Sequence, residues 1–139
     1  MNKEKALKIW KSENVDVSKI PIEFWSNKSF IIKAIKLNGF ALQYVNKKFL
    51  KDPEIVLEAI KQEPATLKFA DKIFKKDKKI VLSAIKSFPF LLKYADKSLK
   101  KSKSFMLEAV KLDNETLQYA DKSLQNDPDL LKLVKKKNV

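Results

Sequence analysis

The sequence lacks cysteine, histidine and arginine, and it contains a single glycine among its 139 residues. Without Cys or His, thiol chemistry, disulfide bonds, histidine-assisted base catalysis and an ordinary zinc site are excluded. With one Gly, tight hairpins are few and strands are not expected. No apolar run approaches the roughly 18 residues of a membrane-spanning helix, and the first residues lack the apolar stretch of a secretory signal. We therefore expect a soluble cytoplasmic protein.

The basic charge is carried by lysine alone. The net charge is +13, and all thirty basic residues are Lys. Proteins that read nucleic acid usually employ Arg for bidentate contacts to phosphate and guanine. A Lys-only chain rich in Asn and Ile is typical of an AT-rich coding genome, so the charge by itself does not indicate nucleic acid. It still predicts long-range attraction to an acidic partner.

Four copies of a 25-residue pattern follow one another without insertion. The copies occupy residues 27–51, 52–76, 77–101 and 102–126, and a fifth begins at Asp127 and stops half-way. Such periodicity predicts an all-α solenoid of short helix pairs. Residues 1–26 are interpreted as an N-terminal cap and residues 127–139 as a C-terminal cap helix with a solvated lysine tail. The whole chain, 1–139, is predicted to be a single helical-repeat domain.

Each copy is predicted to be a helix, a turn and a shorter helix. Its first residue is a good N-cap, namely Asn27, Asp52, Asp77, Ser102 or Asp127. The first helix has apolar residues at its fourth, fifth, sixth, eighth and ninth positions, and the invariant eighth position predicts close helix approach (Ala34, Ala59, Ala84, Ala109). Gly, Pro or Asn then marks a turn. The shorter helix carries an aromatic column, predicted to be core, at Tyr44, Phe69, Tyr94 and Tyr119.

The N-terminal cap holds both tryptophans. Lys3 to Lys11 is predicted to form an amphipathic helix with Asn2 as its N-cap. Trp10 and Trp25 are interpreted as cap core, because the end of a solenoid needs a segment to cover its apolar face.

The repeated pattern resembles a known family. One pattern recurs four times between about residues 18 and 134. It consists of an N-cap, a helix of the form VLxAIK, a turn, the letters L-x-Y-A and a short charged turn. This order resembles the tandem-repeat family called domain of unknown function 4116. The resemblance implies an all-helical stack with a recognition role, and it supplies no catalytic residues.

No group in the sequence indicates an enzyme. The carboxylates at Asp71, Asp96 and Asp121 each stand where a short helix begins, which accounts for them as caps. There is no Gly-rich phosphate loop, and the serines have no base to activate them. No catalytic, cofactor-binding or metal-binding residue is predicted, and no cofactor is expected.

Charge alternates between copies. The net charge is +6 for residues 27–51, 0 for 52–76, +5 for 77–101 and −1 for 102–126. In the even copies Glu58 and Glu108 are predicted to pair with Lys61 and Lys111. The odd copies instead combine unpaired lysines with turn aromatics, and we predict a partner surface there: Lys33, Lys36, Phe40, Lys86 and Phe90. Inheritance from a two-copy ancestor is an equal explanation of the alternation.

Two functions therefore stay open at this point. The first is a non-enzymatic module, a monomer, that binds a protein partner with an acidic surface. The second is binding of nucleic acid or a nucleoprotein, for instance as a small inhibitor encoded by a mobile element. Binding to an anionic membrane surface is a weaker third.

Overall fold

The described residues are helical throughout. A computed structural model describes residues 1–137, with side chains as far as Lys135, and within that range it holds α-helices and 3₁₀-helices without a β-strand. This confirms the predicted all-α helical-repeat fold. The chain divides into two compact units, an N-terminal unit Met1–Asp71 and a C-terminal unit from Lys72 onward. The assignment of one domain stays a prediction, and most of the predicted lysine tail lies outside the described side chains.

Helices follow one another in the order that the copies predict. The N-terminal segment forms α1 (Lys3–Lys11) and 3₁₀-helices at Val17–Lys19 and Ile22–Ser26. Each copy starts with a ten-residue α-helix: α2 (Lys28–Leu37), α3 (Pro53–Gln62), α5 (Lys78–Ser87) and α7 (Lys103–Leu112), with α9 (Pro128–Lys137) in the half copy. A 3₁₀-helix comes next, at Gly39–Gln43, Pro64–Phe69, Pro89–Tyr94 and Asn114–Tyr119. One further turn ends the copy: a 3₁₀-helix at Lys47–Lys51, then α4 (Lys72–Lys75), α6 (Lys97–Lys100) and α8 (Lys122–Gln125).

The long helices begin at the predicted caps. Asn27 Oδ1 accepts the backbone N–H of Phe30 at 2.9 Å, and Ser102 Oγ accepts that of Phe105 at 3.2 Å. The carboxylates of Asp52, Asp77 and Asp127 accept in the same way from residues in the first turn of their helices. These bonds satisfy N–H groups that a helix start leaves without a partner.

The second helix of each copy differs from the prediction. It is a 3₁₀-helix, in which Ala41 N–H donates to Asn38 and Tyr44 N–H donates to Ala41, both at 3.0 Å. The segment has five or six residues, and short 3₁₀-helices are common as connectors. The apolar spacing of the sequence is compatible with either kind of helix.

The core is a narrower stripe than the sequence predicted. In the four complete copies the fifth, eighth and ninth positions are buried, as in Ile31, Ala34 and Ile35, and the fourth is buried except at the half-buried Ile80. The invariant alanines are confirmed as core, because each has at most 1% of its surface exposed. The sixth position is apolar too, but Leu57 there is 44% exposed and Ile32, Leu82 and Leu107 are half-buried. The buried stripe is therefore one face of each long helix, and within each unit it packs on neighbouring copies.

Close approach of the backbone explains the one glycine. In the N-terminal unit, α2 packs against α1 and α3, and the Gly39–Gln43 helix packs against both α2 and α3. A Cβ atom at Gly39 would lie 2.9 Å from the carbonyl oxygen of Ala59. Since no side chain tolerates that distance to a backbone atom, Gly39 allows the turn to sit against α3.

A backbone hydrogen bond joins each copy to the one before it. Asp96 N–H donates to Lys75 C=O at 2.9 Å, and Asp121 N–H donates to Lys100 C=O at 3.0 Å. The same bond joins Asp71 to Leu50 and Asn46 to Trp25. It always spans 21 residues, from the last turn of one copy to the aromatic turn of the next. Each such contact is a junction of the stack.

Two junctions also carry a lysine clamp. Lys28 Nζ lies 2.8 Å from a carboxylate oxygen of Asp52 and 2.8 Å from one of Glu54, both at the start of the next long helix. Hydrogen bonds to the two carboxylates raise the pKa of Lys28, and the bond from Lys28 is the main cause that lowers the pKa of Asp52.

The second clamp has the same geometry in the C-terminal unit. Lys103 Nζ lies 3.1 Å from Asp127 and 2.6 Å from Asp129. Desolvation alone would raise the pKa of Asp127, but hydrogen bonds from Lys103 and from backbone N–H groups lower it. Both clamps join the second residue of one copy to the first and third residues of the next.

Candidate functional site

The five predicted partner-binding residues fall into two groups. Lys33, Lys36 and Phe40 belong to the N-terminal unit, and Lys86 and Phe90 belong to the C-terminal unit. All three lysines are exposed, and Phe90 is 43% exposed. Phe40 is half-buried, so its ring is a weaker candidate than the sequence indicated.

The exposed aromatic surface of the C-terminal unit is larger than predicted. Phe88 is 46% exposed, and its ring centroid lies 5.8 Å from that of Phe90. Lys93 Nζ lies 5.7 Å from the centre of the Phe90 ring and 5.0 Å from that of Tyr94, which are cation–π distances. Phe88, Phe90, Lys93 and Tyr94 form one continuous surface, which we call the aromatic patch.

Phe88 was missed by the sequence interpretation, although a signal was present. It occupies the position at which Asn38 and Asp113 accept a backbone N–H to start the 3₁₀-helix of their copies. Phe88 makes no such bond. The third copy therefore has an exposed aromatic side chain where two other copies have a capping hydrogen bond. Exposed apolar surface in place of a stabilising bond is typical of a recognition site.

The carboxylate column is engaged in local bonds. Asp96 accepts the backbone N–H of Ser98 at 3.0 Å, and Asp121 Oδ2 accepts both the N–H and the hydroxyl of Ser123, at 3.0 and 2.6 Å. Hydrogen bonds from the backbone and side chain of Ser98 lower the pKa of Asp96, and those from Ser123 do the same for Asp121. Among the described side chains, no group of three or more acidic residues is placed to hold a metal ion.

The aromatic column is not core, contrary to the prediction. Tyr44 is 38% exposed, and Phe69, Tyr94 and Tyr119 are half-buried. The leucine two residues earlier fills the core instead, with no exposed surface at Leu42, Leu67 and Leu92. In a 3₁₀-helix, residues two apart do not share a face, so the ring is left at the surface of the junction.

Grooves lie at the junctions, with the aromatic ring on one wall. One groove, of about 380 Å³, is lined by Ile22, Trp25, Ser26, Tyr44, Val45, Asn46 and Lys47, and we call it the aromatic groove. Another, of about 290 Å³, is lined by Lys97, Lys100, Lys101, Tyr119 and Asp121, and we call it the lysine groove. The five residues of the lysine groove stand 75 positions after residues of the aromatic groove, which is three copies. The two grooves are therefore the same site of the repeat with different side chains.

One predicted ion pair is replaced by another contact. Glu58 Oε1 accepts a hydrogen bond from the side-chain amide of Gln62 at 3.1 Å rather than pairing with Lys61. On the surface of α3 the i,i+4 partner is thus preferred over the i,i+3 partner. The contrast between paired even copies and unpaired odd copies is weaker at this position than the sequence indicated.

The comparison with protein families gives one result. A family model described as "Domain of unknown function (DUF4116)" matches residues 16–50, 27–75, 52–100, 77–125 and 102–139. The last four matches start 25 residues apart, and each of the middle three covers nearly two copies, so the matches overlap in the register of the repeat. No curated protein and no solved structure matches the chain.

Proposed function

We propose that this chain is a non-enzymatic module that binds an acidic protein partner. The chain belongs to the family described as domain of unknown function (DUF4116). The observation that carries this proposal is the aromatic patch. Two phenylalanine rings there are each more than two-fifths exposed, and the ammonium group of Lys93 lies beside one of them. A cytoplasmic location and a monomeric state are part of the same proposal.

The chemistry of the patch defines the kind of partner. Aromatic side chains supply most of the binding energy when they enter an apolar pocket of a partner, and surrounding charges steer the encounter. Lys86 is exposed on the last turn of α5, and Lys93 covers the edge of the patch. We therefore expect a partner with an apolar pocket rimmed by Asp and Glu.

The carboxylates support the non-enzymatic part of the proposal. Asp96 and Asp121 are bound to the first turn of their own short helices. A general acid or base needs a proton-transfer position open to a substrate. Their lowered pKa values also disfavour a proton donor at neutral pH.

The test compares two sets of variants with a partner captured from the source cell. Phe88→Ala with Phe90→Ala should weaken binding by about tenfold to thirtyfold, because exposed anchors are lost while the fold keeps its core. Lys33→Glu, Lys36→Glu and Lys86→Glu should slow association and flatten its dependence on salt. Association and dissociation rates are measured by surface plasmon resonance.

Matched controls come from the even copies. Lys61→Glu with Lys111→Glu reverses exposed charges at equivalent positions, and Leu57→Ala removes an apolar side chain that is 44% exposed elsewhere. We expect these to bind within about twofold of the parent. Equal losses in both lysine sets would show that charge alone binds the partner. Unchanged binding by the phenylalanine variant would remove the aromatic patch from the interface.

A further inference from the structure

The lysines of the C-terminal unit are concentrated on the turns that line its grooves. Between Lys72 and Lys101 the chain has ten lysines and two carboxylates. The lysine groove takes three of the ten, at the first, fourth and fifth positions of the turn. Equivalent positions one copy earlier are also lysines, and Lys76 and Lys72 contribute to the lowered pKa of Asp96. Two consecutive junctions therefore present the same set of charges.

The fold does not require these charges. In the aromatic groove the positions of Lys97 and Lys101 are taken by Ile22 and Ser26, on the same backbone hydrogen-bond frame. Only Lys100 has a structural bond, from Nζ to the carbonyl of Lys93 at 3.1 Å.

The next copy shows that even this bond needs no charge. There the amide of Gln125 makes the equivalent contact to the carbonyl of Gln118, at 3.3 Å. Within the described residues, the ammonium groups of Lys97 and Lys101 have neither a hydrogen bond nor an ion pair. Lys101 is attracted to Asp121, which helps to lower the pKa of that carboxyl, and both ammonium groups remain open to a ligand.

The groove combines three kinds of group. Ammonium groups attract phosphate, and the half-buried Tyr119 ring offers a surface on which a base can stack. Asp121 uses Oδ2 for both of its bonds to Ser123, which leaves Oδ1 able to accept a hydrogen bond from the amino group of a base. Because the site has no Arg, it lacks a guanidinium group that could make two parallel hydrogen bonds to the edge of a base in a duplex.

We infer that the two consecutive lysine-bearing junctions of the C-terminal unit bind single-stranded nucleic acid. Phosphates lie against the lysines of each turn, and a base stacks on the tyrosine of each junction. Binding of this kind needs charge and ring faces rather than guanidinium groups, and it tolerates different base sequences. The aromatic patch and the first of these junctions share Tyr94. The two interactions are therefore tested by variants that leave Tyr94 unchanged, at Phe88 and Phe90 for the protein partner and at Lys97, Lys101 and Tyr119 for nucleic acid.

The test measures fluorescence anisotropy of a labelled twelve-nucleotide oligothymidylate over a salt series. The parent should bind with a logarithmic affinity that falls linearly with the logarithm of salt concentration. Lys97→Gln with Lys101→Gln should reduce the slope by about 1.4, since each single-strand phosphate contact contributes about 0.7. Tyr119→Leu should weaken binding by about 5-fold to 150-fold through loss of stacking, while Tyr119→Phe should bind like the parent.

A matched control and a competing ligand decide the result. Lys61→Gln with Lys111→Gln removes the same charge from the long helices of the even copies and should leave the slope within about 0.5 of the parent. Equal slopes for the two lysine pairs would overturn the proposal, as would absence of binding by the parent. A labelled twelve-residue polyglutamate is the second arm. The proposal would also be overturned if polyglutamate bound more tightly than the oligothymidylate and lost affinity only in the variant with Lys97→Gln and Lys101→Gln. That result would indicate an acidic peptide as the ligand.

Discussion

The aromatic groove and the lysine groove are the same junction of the repeat with opposite side-chain chemistry. The backbone bond is present in both, from Asn46 to the carbonyl of Trp25 at 2.7 Å and from Asp121 to that of Lys100 at 3.0 Å. A tyrosine forms one wall of each, Tyr44 or Tyr119. The frame of the repeat thus fixes the position of the groove and leaves its lining open to change.

In the aromatic groove the side chains stabilise the fold. Trp10, Trp25 and Tyr44 form a triangle with ring centroids 5.5 to 5.7 Å apart. Trp10 also donates from its indole N–H to the carbonyl of Ala34 at 2.9 Å. These contacts attach α1 to the first copy. In the lysine groove the side chains at the positions of Ile22, Trp25 and Ser26 are lysines that make few contacts, so that junction depends on its core residues and its backbone bond.

The largest expected effect is a difference in the unfolding free energy that is lost when each of the two junctions is mutated. Trp25 is 4% exposed, and Trp25→Ala should lower the free energy of unfolding by about 3–5 kcal/mol because it opens a cavity among three rings. Lys101→Gln in the lysine groove should change it by less than about 0.5 kcal/mol. Urea unfolding followed by circular dichroism measures both. Comparable losses from the two variants would show that the lysine groove is also part of the packing.

A second pair of variants tests what the two units share. Ala34 and Ala84 are buried at the same position of the repeat, one in each unit. Ala34→Leu and Ala84→Leu should each cost about 1–3 kcal/mol, because three extra carbon atoms do not fit a close-packed face. The exposed neighbour Ser83→Leu is the control and should be neutral within about 0.5 kcal/mol. A neutral Ala84→Leu would mean that the alanine column is not the packing face of the C-terminal unit.

The architecture was predictable because the period repeats the same signals. Caps, buried alanines and turns recur every 25 residues, and each recurrence reinforces the others. The kind of second helix was not predictable, since the spacing of Leu42 and Tyr44 does not distinguish a 3₁₀-helix from an α-helix. In either kind of helix residues two apart do not share a face, so the exposure of the aromatic ring follows from the burial of the leucine rather than from the kind of helix.

The sites were predictable only in part. Lys86 and Phe90 were predicted because odd and even copies differ in charge and in their turn residues. Phe88 becomes apparent only when the residue that precedes the 3₁₀-helix is compared in all four copies. The grooves and clamps combine residues from two copies, as in Lys100 with Tyr119 or Lys28 with Asp52. A search within one copy cannot find them, because the junction exists only after the copies pack.

The smallest expected effect concerns a junction that lacks the clamp. Lys78 stands where Lys28 and Lys103 stand in their copies, but the next copy offers Ser102 and Ser104 instead of carboxylates. Ser104→Asp places an acid at the position of Asp129, which lies 2.6 Å from Lys103 in the existing clamp. We expect a gain of about 0.2–1 kcal/mol at neutral pH, the usual range for an exposed ion pair.

The dependence of this gain on pH identifies its cause. The pKa of Asp52 lies below its ordinary value of 3.8 because of the bond from Lys28, and we expect the same direction for the new carboxylate. A lowered pKa stabilises the folded state above the unfolded value, and that stabilisation disappears as the pH falls through the folded value. The thermal midpoints of variant and parent should therefore differ near neutral pH and converge as the pH falls below 3.8 and through the lowered pKa. Ser104→Asn has nearly the same shape without the charge, so a gain that it shares, or one that persists in acid, would contradict the ion pair.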